Sequence, residues 1–256
     1  MTKLILQQFD PEKNAVINPC DIHTPVDGMP KVAVTCFARS TFARMLDRFG
    51  GEEIARFSCA NMEFPIYKTN FNGKPIALFI ADVGAPSCVG ALEDAFEMGI
   101  EKVVMFGNCG VLDSSIDDCS IIIPTSAVRD EGTSYHYAPP SDEIKVNPKY
   151  MPEFLEILER HGCSYTIGKT WTTDAFYRET RKKVEARKAL GCVCVEMECS
   201  AVAALAQFRG KEVFQFFYAG DNLDAEKWDC RSLSNFVLLD EKDKVAILAM
   251  KLAEKM

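Results

Sequence analysis

Histidine is scarce in this sequence, and the few histidines show no metal-ligand spacing. The 256 residues include three of them, His23, His136 and His161. Cys192 and Cys194 alternate with valine and lack the second cysteine pair that a structural zinc site requires. We therefore expect no metal site.

Glycine-rich nucleotide-binding loops are also missing. No G-x-G-x-x-G is present, so a dinucleotide-binding fold has no support. Residues 162–170 look like a P-loop, but five residues separate the two glycines where the motif has four, and a strand pattern runs through them. Neither motif predicts how a phosphate group would be bound.

The chain also lacks a long apolar run and an excess of positive charge. No apolar stretch approaches the roughly 18 residues of a membrane span, and residues 1–8 contain no signal-peptide core. With 29 Lys and Arg against 37 Asp and Glu, the net charge of −8 opposes binding to nucleic acid or anionic membranes. An anionic substrate would therefore need a local cluster of donors.

The composition that is present is typical of an intracellular globular domain. Eleven cysteines, an odd number spread along the chain, indicate reduced thiols and a cytoplasmic protein. A hydrophobic content of 48% over this length allows one large α/β domain. Residues 1–30 hold several prolines and little periodicity, which predicts an N-terminal arm followed by a single domain over 31–256.

Strand and helix patterns alternate along that domain. Asn72-Gly73 between two apolar runs predicts a β-hairpin, and Ser87 is the expected N-cap of the helix that follows. A buried strand at 102–106 leads into Gly107-Asn108-Cys109-Gly110, which predicts a glycine turn with backbone N–H groups facing a ligand. The pattern also predicts a charged helix over 177–190.

Three carboxylates stand beside buried elements in the segment 192–224. Glu196 and Glu198 lie where a short strand passes into an alanine-rich helix, and Asp221 is expected just beyond the next strand. One interpretation is that they are solvated carboxylates that cap helices and turns. The other is a binding site, because ligands of open α/β sheets lie at this edge.

Six motifs in order make the chain resemble the nucleoside phosphorylase superfamily, which includes uridine phosphorylases, hexameric purine nucleoside phosphorylases and nucleosidases. The motifs are Gly84-Ala85-Pro86-Ser87, Phe106 to Gly110, Arg129 to Pro139, Thr173 to Tyr177, Val195 to Ala201, and Ala219-Gly220-Asp221. The resemblance implies a single-domain, three-layer α/β/α fold with a mixed, partly barrel-like central sheet. It also implies cleavage of an N-glycosidic bond through an oxocarbenium-like transition state.

The resemblance assigns the ribose to one group of residues. Glu198 would accept hydrogen bonds from the sugar hydroxyls, Met197 would pack on the sugar face, and Glu196 would lie beside them. His23 would reach the ribose 5′ end of a neighbouring subunit, since family members are homodimers or homohexamers; an exposed histidine without a task is the alternative.

The base is assigned to a second group. Phe176, with Tyr177, would stack on the base, although packing in the core explains an aromatic residue equally well. Asp221 would protonate or hydrogen-bond purine N7 as the catalytic acid. The absence of a glutamine and arginine pair after Phe176 also favours a purine over uridine phosphorylase-like pyrimidine specificity.

The acceptor of the ribosyl group is left open. Phosphate is the co-substrate in the family's phosphorylases, with no cofactor, but Met105 and Met62 stand where two family arginines would bind it. Gly107, Asn108, Arg39 and Ser40 could bind phosphate instead, unless Arg39 is only a surface charge. The alternatives are hydrolysis by water, as in a nucleosidase, or a nucleoside binder without catalysis.

Overall fold

The computed structural model describes residues 4–60, 62–233 and 237–256, so the first three residues of the expected arm lie outside it. The strands are β1 (Val32–Cys36), β2 (Glu52–Ser58), β3 (Glu63–Phe71), β4 (Lys74–Ile80), β5 (Lys102–Val111), β6 (Ile121–Asp130), β7 (Glu143–Lys145), β8 (Tyr165–Thr173), β9 (Cys192–Glu196) and β10 (Glu212–Asn222). The α-helices are α1 (Arg39–Phe49), α2 (Ala85–Glu97), α3 (Ser134–Tyr137), α4 (Met151–Arg160), α5 (Arg181–Ala189), α6 (Cys199–Arg209) and α7 (Leu239–Lys255). Short 3-10 helices cover Ile5–Gln7, Pro19–Asp21 and Phe176–Arg178.

The strands form one mixed sheet that closes partly into a barrel. Its order is β10-β6-β8-β9-β5-β1-β4-β3-β2, with β7 on β6, and β10 also pairs with β5. That extra pairing closes β5, β9, β8, β6 and β10 into a ring, from which β1, β4, β3 and β2 continue as an open extension. The mixed, partly barrel-like sheet expected from the sequence is confirmed.

Helices cover both faces of the sheet. Alternate residues of β1 face opposite sides, so Val34 packs with Phe154 of α4 and Leu248 of α7 in one cluster. Ala33 belongs to the opposite cluster, with Leu92 of α2 and other side chains from α6. This arrangement confirms the expected three-layer α/β/α architecture.

The described part of the N-terminal segment lies on the body of its own chain. Phe9 packs edge-on against Phe208 with ring centroids 6.5 Å apart, and Arg209 Nη1 donates to the Lys13 carbonyl at 3.2 Å. The Val26 amide donates to the Met98 carbonyl at 3.0 Å. Among the described residues, no helix combines the length and hydropathy needed to cross a lipid bilayer.

The β-hairpin at Asn72-Gly73 is confirmed, but the predicted glycine turn is wrong. Asn72 and Gly73 both have positive φ, 52° and 88°, as a two-residue hairpin requires. Residues 107–110, however, continue β5 to Val111, because β10 pairs with them in parallel and β9 pairs with Gly110. The glycines here remove side-chain bulk: a Cβ at Gly107 would lie 2.7 Å from Phe37 Cδ2.

Three other local predictions need correction. Asp221 lies inside β10, after a bulge between Ala219 and Asp221, because pairing with β5 extends the strand to Asn222. Gly84 with φ 93° is the N-cap of α2, so Ser87 lies inside the helix and its hydroxyl donates to Asp82. The helix expected over 177–190 is divided at Thr180, whose hydroxyl accepts from the Lys183 amide at 3.4 Å and caps α5.

Candidate functional site

A cavity of about 660 Å³ opens where β5, β9 and β10 end and includes most of the residues selected from the sequence. Seven predicted site residues line it: Asp221, Glu198, Met197, Glu196, Phe176, Tyr177 and Asn108. Gly107, Arg39, Ser40 and His23 are not among its lining residues. Glu198 and Asp221, which the sequence assigns to the two ends of one ligand, therefore share a single cavity.

Glu198 is a buried carboxylate at the start of α6. Its Oε1 accepts a hydrogen bond from the Gly84 amide at 2.6 Å, which joins the N-terminal ends of α2 and α6. Burial first, and then the charge of Glu196, raise the pKa of Glu198. The Gly84 and Met197 amides oppose this rise, and the acceptor capacity that remains on the carboxylate can accept hydrogen bonds from hydroxyl groups of a ligand.

Glu196 lines the cavity, and its carboxylate is hydrogen-bonded within the chain. Its Oε1 accepts from the hydroxyls of Thr170 and Thr172 at 3.1 and 2.6 Å. Its Oε2 accepts from the amides of Glu198 and Cys199 at 2.8 and 2.7 Å. These bonds tie Glu196 to β8 and to the start of α6, and so help to position Glu198; the ribose contact expected for Glu196 stays a prediction.

Asp221 is oriented by a tryptophan that no sequence motif indicated. Trp228 Nε1 donates to Asp221 Oδ2 at 2.8 Å, and a Cβ at Gly110 would lie 3.1 Å from Oδ1. Burial raises the pKa of Asp221, while the Trp228 hydrogen bond and the charge of Arg231 oppose that rise. Asp221 is therefore held in one orientation near Gly110.

Glu179 is a second lining residue missed from the sequence. It follows the 3-10 helix at Phe176–Arg178 and is half-buried at the cavity wall. Burial, and then the charge of Asp221, raise the pKa of Glu179 to about 7. No local motif marks this residue, because its proximity to Asp221 arises only from the tertiary fold.

Phe176 and Tyr177 are accessible to a ligand rather than packed in the core. They are 50% and 89% exposed, and their ring centroids lie 4.1 Å apart at the cavity. The alternative that Phe176 is a core residue is therefore wrong. Exposed aromatic rings at a cavity mouth are suited to stacking on a planar group.

The region expected to bind phosphate has little positive charge. Arg39 is exposed as the first residue of α1, and Met105 is fully buried in β5. Phe37 lies over Gly107 and lines the cavity itself. Of the described lining residues, Arg181 is the one cation, and its guanidinium donates to the carbonyls of Leu223 and Ala225 at 2.8 and 2.7 Å.

His23 lies on its own chain. Its Nε2 is 3.2 Å from Asp94 Oδ1, and its side chain is 15% exposed. The contact expected with a neighbouring subunit stays a prediction. Within residues 4–60, 62–233 and 237–256, no group of three or more His, Cys, Asp or Glu side chains could hold a metal ion.

The chain is similar in sequence to several nucleoside phosphorylases. It is 28% identical over 152 residues to the guanosine phosphorylase of Halorubrum lacusprofundi, covering 59% of this chain and 62% of that protein. It is 23% identical over 165 residues to the uridine phosphorylase of Escherichia coli, covering 59% and 65%. The chain thus spans less than two thirds of the length of these relatives.

Solved structures of the same kind share its fold. A crystal structure of uridine phosphorylase from Vibrio fischeri matches with a TM-score of 0.76 at 21% identity, covering 93% of this chain and 97% of that one. Purine nucleoside phosphorylase from Toxoplasma gondii, in complex with immucillin-H, matches with a TM-score of 0.74 at 18% identity, covering 89% and 93%. A sequence profile described as the phosphorylase superfamily matches residues 31–254. The chain belongs to the phosphorylase superfamily.

Proposed function

We propose that the protein cleaves the N-glycosidic bond of a purine nucleoside, with phosphate as the acceptor of the ribosyl group. The observation that supports this most is that Glu198 and Asp221 line one cavity. A nucleoside has a diol at one end and a base at the other, so two separated acids in one cavity match its two polar ends.

At the ribosyl end, Glu198 would accept hydrogen bonds from the 2′ and 3′ hydroxyls while Met197 contacts the sugar face. The anchoring of Glu196 fixes this end before a ligand enters, so no reorganisation is needed at the moment of reaction. Burial raises the pKa of Glu198 to about 8 in the ligand-free chain, and the positive charge that develops on an oxocarbenium-like ribosyl group would favour its ionised form.

At the base end, Phe176 and Tyr177 would stack on the purine and Asp221 would donate a proton to N7. A protonated N7 makes the purine a better leaving group, and burial favours the protonated carboxyl that this step requires. Asn108, which lines the cavity on β5, is our candidate for contact with phosphate.

To test this proposal, the protein is incubated with adenosine, inosine or guanosine, with and without phosphate. Chromatography then measures the free base that is released. Phosphorolysis predicts base and ribose 1-phosphate in the presence of phosphate, and slow release without it. Absence of base release from every purine nucleoside under both conditions would contradict the proposal.

A second candidate is hydrolysis, in which water accepts the ribosyl group. The specific observation in its favour is the charge of the cavity: among the residues that the structure describes, several carboxylates line it together with one cation, Arg181, which already donates to backbone carbonyls. A phosphate dianion that binds there would lose its hydration shell without gaining a positively charged partner. Base release at the same rate without phosphate, with free ribose as product, would support hydrolysis over phosphorolysis.

We also propose that the protein is a homodimer or homohexamer, as expected from the family. Six large apolar side chains of the described N-terminal segment are exposed on the single chain: Leu4, Ile5, Leu6, Val16, Ile17 and Ile22. Such a set is suited to contact with another subunit. Analytical ultracentrifugation measures the assembly, and a monomer over the whole concentration range would contradict this proposal.

A further inference from the structure

The two tryptophans of the chain each donate an indole N–H to an aspartate, in opposite environments. Trp171 is fully buried, and its Nε1 donates to Asp130 Oδ2 at 3.0 Å. Trp228 is 63% exposed at the wall of the cavity, and its Nε1 donates to Asp221 Oδ2 at 2.8 Å. The same type of hydrogen bond thus occurs once in the core and once at the candidate site.

The two aspartates differ in their other partners. Asp130 Oδ2 also accepts from Lys183 at 3.2 Å and from Arg187 at 3.0 Å. Burial opposes the ionisation of Asp130, but the hydrogen bonds from these two cations lower its pKa. Asp221 accepts from no cation among the residues that the structure describes, and burial raises its pKa. Asp130 is therefore held in its ionised form, whereas Asp221 can carry a proton.

The backbone brings Trp228 to Asp221. The Asn222 amide donates to the Asp229 carbonyl at 2.8 Å, and the Asp229 amide donates to the Asn222 carbonyl at 3.2 Å. Asp221 and Trp228 are the residues immediately before this bonded pair. Arg181 donates to two further carbonyls of the same segment. Because backbone contacts hold the segment, the indole can be replaced without unfolding it.

The indole contact distinguishes the two oxygens of the Asp221 carboxyl. A neutral carboxyl has one O–H donor and one carbonyl oxygen, and an indole N–H can only donate. Oδ2 accepts from Trp228, so it is the carbonyl oxygen of the protonated form. No described residue donates to Oδ1, which lies 3.1 Å from the position of a Cβ built at Gly110. Oδ1 is therefore the oxygen left to carry the proton.

We propose that Trp228 is a positioning residue that holds Asp221 by Oδ2, so that Oδ1 donates the proton to purine N7. This inference rests on the proposed function, which takes Asp221 as the acid. In the transfer, the Oδ1–H bond breaks, a bond forms between the proton and N7, and the electron pair stays on the carboxylate. Trp228 then donates to an ionised oxygen, which strengthens its hydrogen bond as the reaction proceeds.

A neutral donor suits this task better than a cation. An indole N–H orients the carboxyl but favours its ionised form less than a lysine or arginine would. The other titratable groups that interact with Asp221 are Arg231, Asp229, Glu179 and the Cys109 thiol. Of these, Arg231 is the one cation, and its Nη1 donates to a backbone carbonyl at 2.8 Å. Asp221 is thus oriented by Trp228 without a bound positive charge.

Nuclear magnetic resonance of the two indole N–H groups tests the contact without turnover, and Trp228→Phe assigns the two signals. From about pH 4.5 to about pH 9, the Trp228 signal should move downfield as Asp221 ionises, because an ionised acceptor strengthens the bond. The Trp171 signal should stay constant, since Asp130 is already ionised. The movement should disappear in Asp221→Asn and persist in Glu179→Gln; the opposite result in either variant would overturn the inference.

Steady-state kinetics with adenosine and saturating phosphate test the proton transfer. Trp228→Phe should lower kcat about tenfold and change KM less than about threefold, because the acid is present but misdirected. Its activity should also decline with rising pH at a midpoint about one unit higher, because the lost hydrogen bond favoured the ionised form. Glu185→Gln, an exposed residue of α5, is the control and should keep both values.

The pH midpoint separates positioning from a merely structural role. An unchanged midpoint in Trp228→Phe would overturn the inference, whatever the change in kcat, and leave the proposed function in place. If the unmodified protein releases no base from adenosine although the Trp228 signal follows Asp221, the proposed function is contradicted, and with it the role of Oδ1 as donor.

Discussion

Glu196 and Glu198 are separated by one residue and have different environments. Glu196 accepts four hydrogen bonds from its own chain, whereas Glu198 accepts from two backbone amides, those of Gly84 and Met197. A carboxylate with four donors is satisfied without a ligand, and one with two donors has acceptor capacity left. We therefore propose Glu198, rather than Glu196, as the acid that meets a sugar diol.

Replacement of the ribose-facing acid tests this assignment. Glu198→Gln should lower kcat/KM about 10- to 100-fold, because one or more charge-assisted hydrogen bonds of about 1.5 to 3 kcal/mol would be weakened. The same variant should discriminate less between adenosine and 2′-deoxyadenosine. Steady-state kinetics with both nucleosides measure the effect, with Glu185→Gln as the matched control; equal discrimination in Glu198→Gln and the protein would refute the assignment.

At the scale of elements, the parallel pairing of β5 and β10 positions Asp221, which we propose for the base end of the cavity. The two strands run in parallel from Lys102 and Glu212, and the bulge after Ala219 places Asp221 opposite Gly110. A Cβ at Gly110 would lie 2.3 Å from Leu223 Cδ1 as well as close to Asp221. Glycine at this position thus keeps space for Asp221 in its present orientation.

Gly110→Ala should therefore displace Leu223 and Asp221 while leaving the sheet intact. We expect adenine affinity to fall about tenfold, since misplacing a hydrogen-bonding group costs about 1 to 3 kcal/mol. Gly90→Ala on α2 is the control, because nothing lies within 4 Å of the added Cβ. That control should keep its affinity and gain up to about 1 kcal/mol of stability; equal affinities in both variants would contradict the role given to Gly110.

The elements also show what the sequence could and could not predict. The hairpin at Asn72-Gly73 was predictable because positive φ at two successive positions favours these residues. The extension of β5 through Gly107 was not, because pairing with β10 overrides the local preference of glycine for turns. Glu179 and Trp228 were missed for a related reason: the charge of Asp221 acts on Glu179, and Trp228 donates to Asp221, only because the tertiary fold brings separate segments to one cavity.

At the scale of the whole molecule, the cavity concentrates buried acids in a protein whose net charge is already −8. Burial raises the pKa of Glu179, Glu196 and Glu198. In the folded chain each of them therefore binds a proton more tightly than in the unfolded chain. The free energy of unfolding must then decrease as the pH rises past their ordinary values.

We expect the melting temperature of the ligand-free protein to fall as the pH rises from about 5 to about 7, across the window set by the ordinary glutamate value and the Glu179 pKa of about 7. Glu179→Gln should make the slope shallower because it removes one titrating group. Calorimetric scans of the protein and of the variant at several pH values measure the melting temperature and its slope against pH. A melting temperature that rises over this window would show that other groups dominate the pH dependence.

The central claim is that one nucleoside spans the cavity from Glu198 to Asp221. A crystal structure of the protein with a non-cleavable adenosine analogue and phosphate tests it most directly. We predict both ribose hydroxyls within about 3.2 Å of the Glu198 carboxylate and N7 at the same distance from Asp221. An analogue bound in the opposite orientation, or outside this cavity, would contradict the account.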